Sequence, residues 1–399
     1  METEELQPSA PGRLVPYGRQ SYYKPDPLPP SAELDLGNEF YELLADATFW
    51  LGRLAGTSAS DTFAPVLYTS LLRKEAMESA EIEGADVDFN ALYSTETGPG
   101  AESEPAATVE SDGAASRGDD DSTTKDTTEV LNYERALEAG IEALNRDEEI
   151  TVDLLHSLHD RLLSDVPEER VDTDTIGDFK RTPNHAGEFV PVPPGEVEGP
   201  MQALVTYIRT GGSYHSLVDI ALIHYQFETI HPYGDGNGRL GRLLITLLLY
   251  DAGYLEQPTL YLSEYFNRNK QTYIDRMNAV RTRGEWEAWI EFFVRGVRNQ
   301  AHESVERSLQ LQRLQQDYEA EYGDSTVSHA QLACSLFEQP YFTADDVVEM
   351  LDIERSTAHR AINRLREEGL VEEVTGKERY QEFRAAEIFE ILERPPETY

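Results

Sequence analysis

A chain of 399 residues is long enough for two or three domains, and its 34 basic and 75 acidic side chains give a formal net charge of −41. Its longest apolar run, residues 243–250, is far shorter than the roughly 20 residues that span a bilayer, and the acidic N-terminus lacks a signal-peptide layout. A single cysteine, Cys334, excludes an intramolecular disulfide and a cysteine-clustered zinc site. We therefore expect a soluble, cytoplasmic protein without a membrane partner. We also expect Cys334 to lie on the apolar face of a helix and to be buried in the core.

The acidic residues are spread through every segment, whereas lysine occurs only six times. Such a charge usually repels nucleic acid and anionic membranes. The alternative is adaptation to a salt-rich cytoplasm, in which 1 M salt shortens the range of the repulsion between carboxylates to about 3 Å. We favour this halophilic interpretation, so the charge indicates the solvent more than the partner.

The N-terminal region, residues 1–91, begins with a proline-rich arm and continues as helices. Prolines in residues 23–30 predict an extended segment, because proline cannot continue a helix. Apolar residues at three- and four-residue spacing then predict helices over 36–56 and 64–82. Residues 92–128 are acidic and contain few large apolar side chains, so we expect a disordered insertion there.

The central region, residues 129–300, shows helical periodicity in most segments. An exception is the stretch 177–194, whose prolines predict a loop or a short hairpin. Strands do not alternate with helices, which argues against a parallel α/β sheet. We therefore expect a mainly α domain, with predicted helices over 201–209, 216–230, 240–250, 267–282 and 285–298.

The C-terminal region contains a linker helix over 301–325 and a compact domain over 326–399. That domain has three predicted helices and then two short strands, which is the order of a winged helix-turn-helix. Its third helix, 355–368, carries residues suited to DNA phosphates and base edges: Arg355, Ser356, Thr357, His359, Arg360 and Arg364. The alternative is a regulatory or dimerising module, which the acidic background favours.

The glycine-rich segment over 230–242, with the sequence IHPYGDGNGRLGR, contains most of the residues that suggest chemistry. Gly236, Gly238 and Gly241 satisfy the dinucleotide-binding pattern of a Rossmann fold. That pattern needs a preceding strand, whereas residues 217–230 have the apolar spacing of a helix. We therefore reject a Rossmann fold and interpret the segment as a loop between two helices.

Such a loop suits phosphate binding. The N–H groups of Gly236, Asn237 and Gly238 lead into a helix and form a nest for an anion at its positive end. Arg239 and Arg242 are three residues apart on that helix, and their guanidinium groups match phosphate oxygens.

Two further side chains complete the set. Asp235 offers a carboxylate where phosphates would recruit Mg²⁺. His231, at the other rim of the loop, suits a general base that takes a proton from a hydroxyl. Together, base, metal ligand, anion nest and arginines indicate transfer of a phosphate-containing group to an alcohol.

The segment resembles the signature of the Fic (filamentation induced by cAMP) family, His-x-Phe-x-Asp/Glu-Gly-Asn-Gly-Arg-x-x-Arg, with Tyr233 in place of the phenylalanine. The resemblance implies a helical bundle that transfers AMP from ATP to a Ser, Thr or Tyr hydroxyl of a target protein. It also implies that His231 is the general base and Asp235 holds Mg²⁺. The ATP phosphates would be bound by Gly236, Asn237, Gly238, Arg239 and Arg242.

A second segment, residues 79–84 with the sequence SAEIEG, is similar to the Ser/Thr-x-x-x-Glu-Gly/Asn motif of Fic proteins that carry an inhibitory helix. The resemblance implies that Glu83, in the motif begun by Ser79, pairs with Arg242 and displaces the γ-phosphate. A carboxylate on a guanidinium competes directly with phosphate, so we expect an autoinhibited enzyme. The alternative is a capping-type Ser and Glu in an acidic helix.

The resemblance to Fic proteins with an N-terminal accessory domain covers most of residues 20–300. It places a flap that docks the target protein at 187–193, and it leaves homodimer formation open. Two other functions stay open: removal of AMP, with Glu83 positioning water, and a DNA-binding transcriptional regulator whose Fic core senses nucleotide. His156 and His159 lack the carboxylates of a metal site, so we interpret them as packing and surface residues.

Overall fold

A computed structural model describes residues 6–58, 65–84, 119–166, 175–187, 189–212, 214–260, 262–377 and 379–394, with backbone alone at 58, 65–70 and 119–126. The described chain begins with an antiparallel hairpin of β1 (Gly12–Tyr17) and β2 (Gln20–Pro25). The predicted extended arm therefore begins as a paired strand. From β2, the Tyr23 N–H donates to Val190 O at 2.9 Å, which ties the hairpin to the loop over 189–197.

Helices form the body of the molecule, as the sequence predicts. Almost every residue of the two central helices is buried, because both are apolar on nearly all sides. The helices are α1 (Asn38–Ser58), α2 (Pro65–Glu83), α3 (Asp119–Asn145), α4 (Val152–Leu162), α5 (Glu198–Thr210), α6 (Ser216–Ile230), α7 (Asn237–Asp251), α8 (Leu262–Arg268), α9 (Lys270–Arg283) and α10 (Trp286–Tyr322), of which α6 and α7 are central.

Several boundaries differ from the prediction. Helix α3 begins at Asp119, within the expected disordered insertion. The rest of that insertion, 92–118, lies outside the described residues. The predicted helix over 267–282 corresponds to α9, whereas α8, which ends at Arg268, was not predicted.

The predicted linker helix over 301–325 is the continuation of α10, which runs without a break from Trp286 to Tyr322. The charged composition of this stretch hides a buried stripe at Val305, Ser308 and Leu311. That stripe keeps one face of the helix against the protein, so the helix does not end where the central domain does.

The C-terminal domain is a winged helix, which confirms the predicted order of elements. Its sheet has the order β3-β5-β4, and the Thr343 and Asp346 side chains form a capping box at the start of α12. Strand β3 and helix α14 were not predicted, and Cys334 is half-buried instead of lying in the core. The elements are α11 (Ser328–Ser335), β3 (Tyr341–Thr343), α12 (Ala344–Leu351), α13 (Arg355–Glu368), β4 (Val371–Glu373), β5 (Glu382–Ala385) and α14 (Ala386–Glu393).

Helix α2 contacts both domains. Leu71 is fully buried in the hydrophobic core of the winged helix. Lys74, one turn after Leu71 on α2, donates from Nζ to Leu392 O of the winged helix at 3.4 Å. The other end of α2 carries Ser79 and Glu83 to the loop between α6 and α7. None of the helices in the described residues is long and apolar enough to cross a bilayer.

Candidate active site

The loop between α6 and α7 is shaped by two residues with left-handed backbone. His231 ends α6 with φ 53° and ψ 63°, and its N–H donates to Phe227 O at 2.9 Å. Gly236 precedes α7 with φ 70°, a conformation that glycine adopts without steric cost. These two reversals turn the His231 side chain and the N-terminus of α7 toward the same cavity.

Asn237 closes the loop by bonding across it. Its Oδ1 accepts the Tyr233 N–H at 2.8 Å, and its Nδ2 donates to Tyr233 O at 2.9 Å. The amide side chain is therefore occupied within the loop, and the residue faces the cavity with its backbone at the start of α7. The anion nest formed by the backbone N–H groups of 236–238 stays a prediction.

His159 supports the loop from behind. Its ring stacks on Tyr233 with centroids 3.9 Å apart and planes 12° from parallel. Gly177 N–H donates to His159 Nδ1 at 3.0 Å, so Nε2 carries the proton and donates to Asp235 O, also at 3.0 Å. Burial lowers the pKa of His159 to about 4, which keeps this neutral tautomer. Packing is thus part of its role, and the sequence reasoning missed the loop contact.

The His231 imidazole is neutral at physiological pH. Its side chain is 15% exposed, and burial, reinforced by the charge of Lys180, lowers its pKa to about 3. Nδ1 has no hydrogen-bond partner among the described residues. A neutral imidazole at the rim of a cavity can accept a proton from a hydroxyl that is bound there.

Arg242 is held by the end of α2. Its Nε donates to Ser79 Oγ at 2.8 Å, and its Nη2 donates to Ser79 O at 2.9 Å and to Glu83 Oε1 at 2.8 Å. The arginine side chain is 2% exposed, whereas that of Glu83 is 41% exposed. Arg242 lowers the pKa of Glu83 against the opposing effect of burial, so the pair is ionised.

The Glu83 carboxylate also lies against the N-terminus of α7. A Cβ added to Gly238 would lie 2.0 Å from Glu83 Oε1 and 2.8 Å from Arg242 Nη1. Glycine at 238 is therefore required for this close approach. The carboxylate occupies the kind of place where a helix N-terminus and an arginine bind an anion.

Arg239 does not reach the cavity. Its Nη1 donates to Glu129 Oε2 at 2.9 Å, and both side chains are almost fully buried. Although Arg239 and Arg242 are three residues apart, the first pairs with α3 and the second with α2. The phosphate contact of Arg239 stays a prediction, and it would require a phosphate to displace Glu129 from the guanidinium.

The cavity has a volume of about 620 Å³, within the range of small-molecule sites. Besides the loop, it is lined by Tyr273 and Arg281 on α9, which the sequence analysis did not single out. Arg281 Nε donates to Thr229 Oγ1 at 3.1 Å, and its guanidinium lies 3.9 Å above the Phe189 ring. These residues are distant in sequence from the glycine-rich segment, so only the fold brings them to it.

The predicted flap is smaller than a hairpin. In the described part of 187–193, a single bridge joins Ala186 and Phe189, with backbone bonds of 3.0 and 3.1 Å. Gly187, with φ 60°, makes the turn. The prolines that follow limit further strand pairing, because proline has no N–H to donate.

Asp235 is the residue that fits a metal ion beside bound phosphates. Its Oδ1 accepts the Gly236 N–H at 2.7 Å, and the residue lines the cavity. Within the described residues, no group of three or more His, Cys, Asp or Glu side chains is arranged to hold a metal. A single carboxylate nevertheless suits Mg²⁺, which proteins often bind with one carboxylate, water and substrate phosphates.

Comparison with known proteins places the chain in a family. A family model described as Fic/DOC family matches residues 149–249, and one described as Fic/DOC family N-terminal matches residues 41–142. The chain belongs to the Fic/DOC family. The two matched ranges include the loop between α6 and α7, residues 231–236, which we call the Fic loop. They also include residues 79–83 of α2, which contact Arg242 just after this loop. A third family model, described as sugar-specific transcriptional regulator TrmB, matches residues 331–394.

Individual relatives agree with this assignment. The chain is 34% identical over 143 residues to a protein adenylyltransferase Fic of Drosophila grimshawi, covering 35% of this chain and 29% of the relative. It is 33% identical over 129 residues to that of Culex quinquefasciatus, covering 32% and 25%. The chain thus spans less than a third of these curated relatives. A crystal structure of a Fic family protein from Desulfovibrio desulfuricans G20 shares the fold, with a TM-score of 0.54, 18% identity, and coverage of 90% of this chain and 98% of that one.

Proposed function

We propose that this protein transfers AMP from ATP to a hydroxyl side chain of a target protein, and that Glu83 holds it inactive. The observation that carries this proposal is the position of the Glu83 carboxylate, 2.8 Å from Arg242 and against the N-terminus of α7. It lies in a cavity with a neutral imidazole at its rim, whose Nδ1 has no hydrogen-bond partner among the described residues. The relatives named protein adenylyltransferase Fic support the same reaction.

The reaction follows from these groups. The target hydroxyl loses its proton to His231, and its oxygen forms a bond with the α-phosphorus of ATP. The bond from that phosphorus to the bridging oxygen breaks, and diphosphate leaves. The N–H groups at the start of α7 and the Arg242 guanidinium stabilise the phosphate charge. A magnesium ion, held by Asp235 and phosphate oxygens, would supply further neutralisation of that charge.

Glu83 opposes this reaction in its observed position. Its carboxylate already accepts from Arg242, so a γ-phosphate that needs the same guanidinium meets both competition and like-charge repulsion. Removing the carboxylate frees the guanidinium and leaves the Ser79 contacts of Arg242 in place. Activity should therefore depend on displacement of Glu83.

The test uses ATP labelled at the α-phosphate, Mg²⁺ and molar KCl. We expect Glu83→Gly to raise the label on protein on the order of tenfold or more, which corresponds to about 1.4 kcal/mol of relieved competition. The double variant Glu83→Gly/His231→Ala should carry no label. Glu81→Gly is the matched control, because Glu81 lies on the same helix and bonds Asn267 instead of Arg242.

Removal of AMP is a second activity of the same site. Glu83 faces His231 across the cavity, where a carboxylate can orient water. If none of the variants becomes labelled although each binds ATP, an AMP-modified protein should be offered as the substrate. Release of AMP by wild type and not by Glu83→Gly would then establish hydrolysis in place of transfer.

DNA binding is a second function, carried by the winged helix. The observation that favours it is the TrmB match over 331–394 together with the exposed face of α13, which carries Arg355, His359 and Arg360. Arg355 and Arg364 each pair with a nearby acidic residue at the surface, and such exposed pairs are weak. A phosphate group can therefore compete for these side chains.

DNA binding is tested with the full chain in a shift assay at several salt concentrations. We expect affinity to fall as salt rises, because each arginine that meets a phosphate releases counterions. Arg360→Glu should abolish binding, whereas Arg313→Glu on the exposed surface of α10 should not. Absence of binding at every salt concentration would leave the winged helix as a regulatory or dimerising module.

A further inference from the structure

Lys180 is a buried cation beside the Fic loop, and no family motif quoted above assigns it a role. Its side chain is almost fully buried, and within the described residues no carboxylate lies within 4.0 Å of its Nζ. Lys74, which is the other buried lysine among the side chains that the structure describes, has Glu264 at 3.1 Å. An ammonium group buried without a counter-ion is costly, so such a group points to a function.

The contacts of Lys180 are with the backbone that carries His231. Its Nζ donates to His231 O at 2.8 Å, and its N–H donates to Pro232 O at 3.0 Å. Nζ also donates to Asn184 Oδ1 at 2.7 Å, and Asn184 Nδ2 donates to Tyr233 O at 2.7 Å. Lys180 and Asn184 thus hold three consecutive carbonyl groups.

This clamp lies where the backbone most needs support. His231 adopts a φ of 53°, a backbone angle that residues other than glycine rarely adopt. The surrounding structure must therefore hold the residue in this conformation. The direction of the imidazole depends on that conformation, because the backbone sets where the side chain leaves the chain. Loss of the clamp would let the residue relax and would misdirect the base.

The charge of Lys180 acts on the imidazole as well. The charged groups that face His231 are Lys180, Arg281 of α9, Glu83 of α2 and Glu228 of its own helix. The two cations disfavour a protonated imidazole, and the Glu83 carboxylate favours it. Burial raises the pKa of Glu228 to about 7, so Glu228 adds a negative charge only above neutral pH. Burial lowers the pKa of Lys180 to about 7, so its own charge is present below neutral pH and is lost above it.

We propose that Lys180 is a positioning residue for His231, which fixes the direction of the imidazole through the loop carbonyls and keeps it unprotonated through its charge. This inference rests on the proposed function for its effect on activity. Its effect on the imidazole is independent of the reaction, and the two are measured separately.

The first measurement is NMR titration of the histidine imidazoles between about pH 5 and pH 8, with His231→Ala for assignment. In wild type we expect no titration of His231 in this range. In Lys180→Met we expect the onset of His231 protonation at the acid end of this range, because one cation that disfavours it is gone while burial remains. Lys180→Arg, which keeps a cation, should restore the wild-type behaviour. A folded Lys180→Met protein whose His231 still does not titrate would overturn the electrostatic part of the proposal.

The second measurement is labelling in the Glu83→Gly background. We expect Lys180→Met to lower kcat on the order of 100-fold by misplacing the base, with KM for ATP near the parent value and the acid limb of the pH profile moved upward. Lys180→Arg should recover most of kcat, and the control Lys24→Met, whose Nζ pairs with Glu196 and not with the loop carbonyls, should match the parent. Unchanged kcat would overturn the positioning role, whereas no label in the parent would refute the proposed function and leave the imidazole titration to decide.

If Lys180→Met fails to fold, wild type itself provides the test. The chain has six lysines, so its lysine side-chain NMR spectrum is simple, and Lys180→Arg identifies the signal of Lys180. We expect that signal to titrate near pH 7. An ordinary lysine titration, near the pKa of 10.5, would mean that the ammonium group is not buried beside His231 and would overturn the proposal.

Discussion

Glu228 lies one helical turn before His231 and carries a buried carboxyl group. Its Oε2 is 3.9 Å from His231 Nδ1, and its Oε1 has no hydrogen-bond partner among the described residues. Gly241 leaves room for it, because a Cβ there would lie 2.2 Å from Oε1. Burial raises the pKa of Glu228 to about 7, and the Arg242 guanidinium only partly opposes this.

That raised pKa makes the stability of the protein depend on pH. The folded state binds a proton at Glu228 up to about pH 7, whereas the unfolded chain loses it near pH 4.5. The contribution is therefore fully present below pH 4.5 and is lost as pH rises to about 7. We expect Glu228→Gln to raise the free energy of unfolding relative to wild type by on the order of 2 kcal/mol more at pH 8 than at pH 4.

Urea unfolding in molar KCl at the two pH values measures this difference. Glu291→Gln is the control, because its carboxylate is half-exposed and pairs with Arg295 at the surface. An equal effect of Glu228→Gln at both pH values would contradict the raised pKa.

Tyr233 is where the loop departs from the Fic signature, and its hydroxyl lies 3.1 Å from His156 Nδ1. We expect Tyr233→Phe to lower the free energy of unfolding by about 1 kcal/mol, the usual contribution of one hydrogen bond. The ring stacking on His159 needs no hydroxyl, so labelling in the Glu83→Gly background should stay at the parent rate. A large loss of labelling would mean that the hydroxyl, and not the ring, sets the loop geometry.

At the scale of elements, local patterns predict what local forces determine. The bounds of α6, α12 and α13 follow from apolar spacing and caps, and the loop residues His231 and Gly236 mark the end of one helix and the start of the next. The contact between Glu83 and Arg242 was predicted only from the resemblance to Fic motifs, because the two residues are 159 positions apart and no local pattern links them.

Partners chosen by the fold were not predictable in this way. Arg239 looks like a phosphate ligand in the sequence, but its partner Glu129 is 110 positions away. Arg281 has no periodicity or motif that marks it, and the segment 177–181 resembles Fic proteins without indicating what Lys180 contacts. The contacts of both side chains depend on which backbone packs beside them. The sequence predicts elements from neighbours, whereas long-range pairs depend on packing.

The Arg239–Glu129 pair joins α7 to α3, and its position predicts a structural role. We expect Arg239→Met to lower the free energy of unfolding by about 3 kcal/mol, because it removes the cation of a buried ion pair. The double variant Arg239→Met/Glu129→Met should recover much of this loss. In the Glu83→Gly background, ATP affinity measured by calorimetry should fall much less than with Arg242→Met. An equal fall would return Arg239 to the phosphate site.

At the scale of the whole molecule, the net negative charge produces electrostatic repulsion that opposes folding. Most of the described ion pairs contain arginine, and the exposed ones, such as Arg283–Glu285 and Arg295–Glu291, contribute little stability. The net charge of −41 remains after every cation is counted. Repulsion between the remaining carboxylates is greater in the compact folded state than in the unfolded chain. Salt shortens the range of that repulsion from about 10 Å at 0.1 M to about 3 Å at 1 M.

We therefore expect the folded state to gain stability steadily as KCl rises from about 0.1 M to about 2 M, as measured by the midpoint of urea unfolding. Sucrose at matched water activity is the control, because it also favours burial but does not screen charge. Greater stabilisation by KCl than by sucrose would identify screening of the acidic surface as the cause. Highest stability in dilute buffer would refute the halophilic interpretation and would require another reason for the scarcity of lysine.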